Sequence, residues 1–363
     1  MERALDLARS ALGTTSPNPA VGALIIKDSV IVGEGFTQPP GDDHAEIVAL
    51  KAAGAAARGA TLFTTLEPCC HQGRTPPCTK AIIEAGISTI CIAAVDPNPK
   101  VNGKGIKEMA DAGITVQSGD RQEGAEQIIE AYSHFIKTGR PFVVAKFATS
   151  LDGKIATTSG DSKWITSQAS RSHANALRGQ YDAIMVGVNT VIEDDPQLTL
   201  RQGDAPSIRQ PLRIVVDSHG RTPPSARLLR EAGQTLIAAV DVEATRRHSL
   251  EEGGADILLV APSTHGGVDL GDLLQTLAER DITGVMVEGG GRLLGSLFDL
   301  GFVDKVLAFV SPTIIGGASS PSPVSGRGAT RMSEALRLER TTIEVFGGDV
   351  FIAGYPIKKA GGQ

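Results

Sequence analysis

The stretch Thr65-Leu66-Glu67-Pro68-Cys69-Cys70-His71-Gln72-Gly73-Arg74-Thr75-Pro76-Pro77-Cys78-Thr79, read with His44-Ala45-Glu46 upstream, decides how the first part of the chain is built. The apolar run Thr61 to Thr65 has strand length and leads into Glu67-Pro68-Cys69. His44 opens a helix-length segment after the turn-forming Pro39-Pro40-Gly41-Asp42-Asp43. A strand end, a helix start and the Cys78 that precedes another helix-length segment thus supply one imidazole and two thiols. A hydrolytic zinc site needs three protein ligands and an open position for water; His44, Cys69 and Cys78 meet that count with a site charge near zero. The dipole of the helix after Cys78 favours its thiolate. Glu46, two residues beyond the imidazole, is then a carboxylate that can take a proton from water and return it to a leaving amine.

Other readings of these residues exist. His44 alone would be a capping or core histidine, Cys70 could replace Cys69 as ligand, and Cys91, inside the apolar run Thr89 to Val95, reads as a buried small hydrophobe. The order H-x-E then P-C is that of nucleobase deaminases, which usually continue as C-x-x-C. Here eight residues separate Cys69 from Cys78, and that spacing taken alone leaves Cys78 in question.

Outward from this stretch the pattern alternates between strand and helix lengths, an α/β rhythm. The periodicity predicts a helix over Arg3 to Leu12, strands over Val21 to Lys27 and Ser29 to Gly35, and a helix over His44 to Ala57. After the cysteine loop come helix Thr79 to Ala85, strand Thr89 to Val95, helix Gly105 to Ala112, strand Ile114 to Gln117 and helix Glu123 to Lys137. Thr138-Gly139-Arg140-Pro141 stops that helix with a Gly and a Pro, so a boundary falls there, before a strand at Phe142 to Phe147. Beyond it, strands are expected at Ala183 to Gly187, Arg213 to Asp217, Thr235 to Ala239 and Gly284 to Glu288, with a helix over Leu270 to Arg280. A Gly-rich turn, a short helix and three terminal strands follow. Gly, Pro and Ser between Ile315 and Gly328 mark a mobile loop. Lys146 to Lys154 reads as a strand running into an Asp-Gly turn, an ordinary hairpin signal. Glu288-Gly289-Gly290-Gly291-Arg292-Leu293-Leu294-Gly295 closes a strand and opens a helix; its free N–H groups suit an anion, but it is not G-x-G-x-x-G.

The Thr65 to Thr79 stretch resembles the long-loop variant of the bifunctional riboflavin-biosynthesis deaminase/reductase family, whose members show P-C-S-H-x-G-R-T-P-P-C. Cys70 stands where the family has Ser, and both presumed ligands are kept. Ser16-Pro17-Asn18-Pro19-Ala20-Val21-Gly22, Asp96-Pro97-Asn98-Pro99, Trp164-Ile165-Thr166-Ser167 and Thr190 to Thr199 are similar to further family stretches, so the resemblance covers nearly the whole chain.

The resemblance implies a cytidine-deaminase-like α/β/α sandwich over residues 1–139, followed by a dihydrofolate-reductase-like α/β domain over 140–363. It implies zinc for hydrolytic removal of the 2-amino group of 2,5-diamino-6-(5-phosphoribosylamino)pyrimidin-4(3H)-one, with Asn18, His71 and Arg74 at the substrate. NADPH would then reduce the ribosyl side chain to ribityl. Ala148, Trp164, Thr190, Asp194, Ser218, Gly290, Gly291, Arg292, Leu293, Leu294, Gly295 and Ser296 are expected at that cofactor. Ser162, Arg178, Leu198, Arg201 and Glu288 are expected at the substrate. Arginines suit its phosphate, and Lys146 is a candidate for polarising the sugar carbonyl or imine. The resemblance also implies a homo-oligomer.

The whole chain agrees with a small-molecule enzyme. With 363 residues it suits two domains. A net charge of -6, with no basic run, argues against a nucleic-acid partner. No apolar stretch approaches the roughly 20 residues that span a bilayer. Four cysteines, three of them close together, suit metal chemistry in a reducing, cytoplasmic compartment better than disulfides. Two rival readings predict different chemistry. A cytidine or tRNA-adenosine deaminase with an appended non-catalytic domain would ignore NADPH, and a metabolite sensor with structural zinc would need a fourth ligand.

Overall fold

The computed structural model describes residues 1–202, 205–207 and 209–357. Contacts divide the chain into two compact units, Met1–Arg140 with Asp281–Thr283, and Pro141–Arg280 with the chain from Gly284 onward.

The first unit runs α1 (Glu2–Ala11), β1 (Gly22–Lys27), β2 (Val30–Phe36), α2 (Ala45–Ala53), β3 (Thr61–Leu66), α3 (Cys78–Glu84), β4 (Thr89–Ala94), α4 (Lys104–Asp111), β5 (Thr115–Ser118), α5 (Gln122–Ile128) and α6 (Glu130–Thr138). Its sheet has the order β2-β1-β3-β4-β5. β1 pairs antiparallel with β2 and β3, and β4 pairs parallel with β3 and β5. Ile25, Leu62, Ile90 and Ile92 fill the core on the strand side, and Ala45, Ala49 and Ala53 line it from α2. That alanine stripe lets α2 ride close on β2. A Cβ on Gly35 would stand 2.4 Å from the Ala45 carbonyl oxygen, and one on Gly33 would stand 2.3 Å from that of Ala49. The helix that carries His44 and Glu46 at its start is therefore seated directly on two glycines. Gly35→Ala should push it off and lower stability by roughly 1–3 kcal/mol, the usual range for overpacking. Thermal melting read together with zinc content checks this, and a parent-like melt with full zinc would contradict it.

The second unit contains β6 (Phe142–Ser150), α7 (Gln168–Arg178), β7 (Ala183–Gly187), α8 (Val188–Asp194), the short pair β8 (Arg201–Gln202) and β9 (Ala205–Pro206), β10 (Leu212–Val216), α9 (Arg227–Arg230), β11 (Thr235–Ala239) and α10 (Ala244–Glu252). β12 (Ala255–Leu259), α11 (Leu270–Ala278), β13 (Gly284–Val287), α12 (Gly291–Asp299), β14 (Lys305–Ser311), β15 (Leu338–Phe346) and β16 (Asp349–Pro356) complete it. Its sheet order is β12-β11-β10-β7-β13-β6-β14-β16-β15, with β15 and β16 antiparallel to their neighbours and the other strands parallel.

Two sequence expectations need correction. The helix read over Glu123 to Lys137 is two, α5 and α6, broken at Ile129, whose φ of -96° and ψ of 15° leave the helical range. The Asp-Gly turn after β6 does not fold back into a hairpin. β6 lies between β13 and β14, parallel to both, and Asp152 instead accepts the N–H groups of Ile315 (3.1 Å) and Gly316 (2.7 Å). These bonds and the Ser150 hydroxyl, the largest influence, hold the Asp152 carboxyl down at about 2. The Gly/Pro/Ser stretch Ile315 to Gly328 is tied again by Lys154, whose ammonium donates to the Ser320 carbonyl.

Candidate active sites

In the first unit, β3 ends at Leu66 and the chain turns through Glu67-Pro68 to Cys69, while Cys78 is the first residue of α3 and His44 caps α2. His44 Nδ1 lies 3.3 Å from Cys78 Sγ and 3.6 Å from Cys69 Sγ. One ligand atom from each of the three falls within 4.8 Å of the others, the only such group of His, Cys, Asp or Glu among the described residues. One imidazole nitrogen and two cysteine sulfurs on a shared focus fit a zinc ion with an open position. His44 Nε2, turned away, meets Thr75 Oγ1 at 3.2 Å, an outer contact of the kind that fixes a ligand ring. The thiol of Cys78 hydrogen-bonds to Cys69, so Cys69 is pulled below the usual thiol range while Cys78, against the expectation from the dipole of α3, is held well above it by that bond and by burial. Cys70, the alternative ligand, turns to the Lys100 carbonyl instead.

Glu46 is 4% exposed, and burial pushes its carboxyl up to about 7 against the pull of His44. It opens onto a cavity of about 340 Å³ that Asn18, His71, Arg74, Thr75, Asp96 and Tyr132 also line. His71 Nδ1 is buried there without a hydrogen-bond partner. Arg74, exposed, pairs at 2.9 Å with Asp281 of the same unit. Asp96 accepts from the Asn98 N–H (2.8 Å) and Tyr132 Oη (3.1 Å), and burial raises its carboxyl to about 6. Sequence reading passed over Thr75, Asp96 and Tyr132. Thr75 lies inside the cysteine loop and Asp96 opens Asp96-Pro97-Asn98-Pro99, but nothing in the sequence announces that Tyr132 on α6 reaches Asp96.

In the second unit β7 leads through α8 to β10 on one side, whereas β13 leads through α12 to β14 on the other. The chain thus diverges at the β7/β13 gap, where open α/β sheets bind ligands beyond the carboxyl ends of the strands. Gly289 (φ 145°) and Gly290 (φ 86°) turn the backbone there, beside Thr190 and Gly187. Glu288, at the end of β13, accepts from Arg178 Nε (2.5 Å) and Nη2 (2.9 Å), and Lys146 Nζ stands 3.7 Å from it. Burial opposes ionisation of Glu288, yet Arg178 and Lys146 hold its carboxyl below the ordinary range; burial lowers Lys146. Arg178 also donates to the Thr199 carbonyl, fixing the loop that holds Leu198, a buried residue with a φ of 52°. Such strain in a bulky side chain persists only where the surroundings impose it.

The other expected residues lie on several separate elements. Ser162 bonds Asp194 (3.2 Å), and Trp164 is 70% exposed with Arg171 over its ring. Ser218 follows β10, Ala148 lies in β6, and Arg201 is exposed. Residues 290–296 do not share one face. Leu293 and Leu294 point into the core, Arg292 and Ser296 are exposed, and a Cβ on Gly295 would stand 2.2 Å from the Ser325 carbonyl oxygen.

The chain matches the cytidine and deoxycytidylate deaminase zinc-binding region over residues 1–94 and the RibD C-terminal domain over residues 141–352. It is 42% identical to the riboflavin biosynthesis protein RibD of Aquifex aeolicus over 352 residues, covering 97% of this chain and 96% of that protein. It is 40% identical to that of Escherichia coli over 326 residues, 87% and 88% of the two chains. Among solved structures, Acinetobacter baumannii RibD superposes with a TM-score of 0.85 at 35% identity, covering 98% of each chain. A diaminohydroxyphosphoribosylaminopyrimidine deaminase/5-amino-6-(5-phosphoribosylamino)uracil reductase from Thermotoga maritima gives 0.84 at 34%, covering 98% of this chain and 97% of that one.

Fold and matches together define a two-activity enzyme, a zinc-binding deaminase region followed by a reductase domain. The chain belongs to the RibD family of riboflavin biosynthesis proteins.

Proposed function

We propose that residues 1–139 remove the 2-amino group of 2,5-diamino-6-(5-phosphoribosylamino)pyrimidin-4(3H)-one by hydrolysis and that residues 140–363 reduce the ribosyl side chain of the product. The enzyme is a deaminase and reductase of riboflavin biosynthesis that uses zinc and NADPH. What carries the deaminase reading is the convergence of His44 Nδ1 and the two thiols beside buried Glu46.

A zinc ion held by His44, Cys69 and Cys78 supplies Lewis acidity that activates water toward the amine-bearing ring carbon. Thr75 keeps the imidazole turned so that Nδ1 faces the thiols. Glu46 holds a proton at its carboxylate and passes it to the departing amine. Asn18 and His71 orient the pyrimidine in the cavity, and Arg74 meets the sugar phosphate.

In the second unit NADPH supplies the hydride, and the protein supplies orientation and charge. Glu288, Arg178 and Lys146 form a fixed polar floor. Lys146 polarises the carbonyl or imine of the opened sugar, while Arg178, Arg201, Ser162 and Leu198 shape the substrate side. Thr190, Asp194, Ser218, Trp164 and Ala148 flank the cofactor, and the turn at Gly290 and Gly291 with the start of α12 (Arg292, Leu293, Leu294, Gly295, Ser296) offers it backbone N–H groups.

The protein works on a small molecule in the cytoplasm, as free cysteines suit. No described helix is long and apolar enough to cross a membrane. It works as a homo-oligomer: β15 is an edge strand with Ile343 and Val345 each 67% exposed, and such edges invite pairing.

One experiment tests both activities. Chelation should abolish ammonia release from the diaminopyrimidine while NADPH oxidation on pre-deaminated substrate continues. NADPH should also change, saturably, the fluorescence of Trp164, the sole tryptophan. Ammonia release that survives full metal removal, or a Trp164 signal indifferent to NADPH, would sink the corresponding half.

A further inference from the structure

The two thiols pose a geometric problem. In C-x-x-C a single turn of chain fixes the separation of the sulfurs, but here eight residues lie between Cys69 and Cys78, and a loop of that length imposes little on its ends. The loop ends meet directly, Thr79 N–H donating to the Cys69 carbonyl (3.2 Å) and Cys78 N–H to Cys69 Sγ (3.4 Å), and a support outside the loop braces both sides of that junction.

Helix α4 touches both ends. Glu67, two residues before Cys69, is 2% exposed. Its carboxylate accepts three backbone N–H groups: Ile106 on Oε1 (3.1 Å), and Gly103 (2.9 Å) and Asp96 (3.3 Å) on Oε2. Gly103, the residue just before α4, has no side chain to cap it, so Glu67 satisfies donors at the start of that helix from across the fold. One turn further along α4, Glu108 Oε2 accepts from Thr79 Oγ1 at 2.9 Å. Thr79 is fully buried and follows Cys78 directly. Between them, a Cβ on Gly105 would stand 2.3 Å from the Pro68 carbonyl oxygen, so Pro68 lies flat on the helix. Gly105 and Glu108, three residues apart, share one face. The residue before the first thiol and the residue after the second thus rest on the same face of one helix.

We propose that α4 is the platform that spaces the two cysteine ligands, with Glu67 and Glu108 as its positioning residues. Neither is among the zinc ligands: Glu67 ties the segment before Cys69 to the start of α4, and Glu108 ties the Thr79 hydroxyl, next to Cys78, to the same helix. The proposal rests on the zinc reading above.

The full-length chain is loaded with zinc, and the rate of zinc release to a colorimetric chelator is measured for the parent, Glu67→Ala, Glu67→Gln, Glu108→Ala and Glu108→Gln. The cobalt(II) absorption spectrum of each reports ligand geometry. Both alanine variants should release metal on the order of 10–100-fold faster, the usual effect of losing an outer-shell partner, with altered cobalt bands. Glu108→Gln should return close to the parent, because an amide oxygen still accepts from Thr79. Glu67→Gln should not, because its NH₂ would face a backbone N–H. Thermal melting of each variant is the control that the first unit is folded, and if Glu67→Ala fails to fold it, the Glu108 pair decides. Parent-like release and spectra in the alanine variants, or a Glu108→Gln as impaired as Glu108→Ala, would overturn the platform while leaving the zinc reading in place. A parent chain that takes up no metal would overturn both.

Discussion

Glu46→Gln is expected to slow ammonia release by on the order of 10²–10⁴-fold, the range set by loss of a positioned acid–base group, while zinc content and NADPH-dependent reduction stay at parent levels. Gln keeps the shape of the side chain at the second position of α2, so the burial and the seat of the helix on Gly33 and Gly35 are preserved. It cannot accept a proton and hand it on. Glu46 is not one of the three converging ligand groups, so metal retention separates lost proton transfer from a damaged site. The measurement is steady-state ammonia production alongside metal analysis. Deamination within a factor of a few of the parent would remove Glu46 from the chemistry.

The second large effect is expected at Glu288. Its buried carboxylate lies between two largely buried cations, Arg178 and Lys146. Glu288→Ala leaves both without it, and breaking a buried pair in this way costs about 3–5 kcal/mol. Urea unfolding of the second unit, followed through Trp164, measures it, with loss of reductase activity alongside. On the alkaline side of neutrality, above the range where Glu288 itself titrates, the deficit should shrink as pH rises. Glu288 normally raises the Lys146 pKa and Arg178 lowers it, so without the carboxylate Lys146 falls further below its unfolded value. Between those two values the unfolded chain binds more protons than the folded one, and stability climbs with pH. A loss under about 1 kcal/mol, against the range for broken buried pairs, or a deficit that widens with pH on the alkaline side of neutrality, would contradict this account.

Much of the architecture is legible in the sequence wherever burial is one-sided or complete. β7 and β11 fall on Ala183 to Gly187 and Thr235 to Ala239 because these strands are almost wholly apolar and nearly every residue is buried. α7, by contrast, leaves no trace: of Gln168 to Arg178 only Ser170 and Leu177 are buried, so no apolar stripe marks a helix that nonetheless carries Arg178. α10 is hidden for the same reason, with Leu250 its one buried residue. The break at Ile129 escapes because α5 and α6 both bury residues toward one core, and a single-residue interruption does not disturb the period.

The sites divide along a similar line. The order of His44, Glu46, Cys69 and Cys78 can be read because metal chemistry restricts residue type. The groups that hold them, Thr75, Glu67 and Glu108, cannot, since each meets its partner through the fold and any hydroxyl or carboxylate in sequence looks alike. The Arg178–Glu288 pair joins residues far apart in the chain, and only the resemblance singled them out.

The glycine run that opens α12 answers to two demands at once. Gly289 and Gly290 are there because the backbone turns through positive φ, but Gly291 and Gly295 are there because Ser322 and Ser325 of the distant Gly/Pro/Ser stretch press against the helix, the first with its carbonyl oxygen 2.8 Å from where a Gly291 Cβ would sit. A bulkier residue at Gly295 would therefore evict a neighbouring segment before it ever obstructed a dinucleotide. Poor cofactor affinity in such a variant would be a symptom of that eviction, curable by shortening the displaced segment rather than by restoring the glycine.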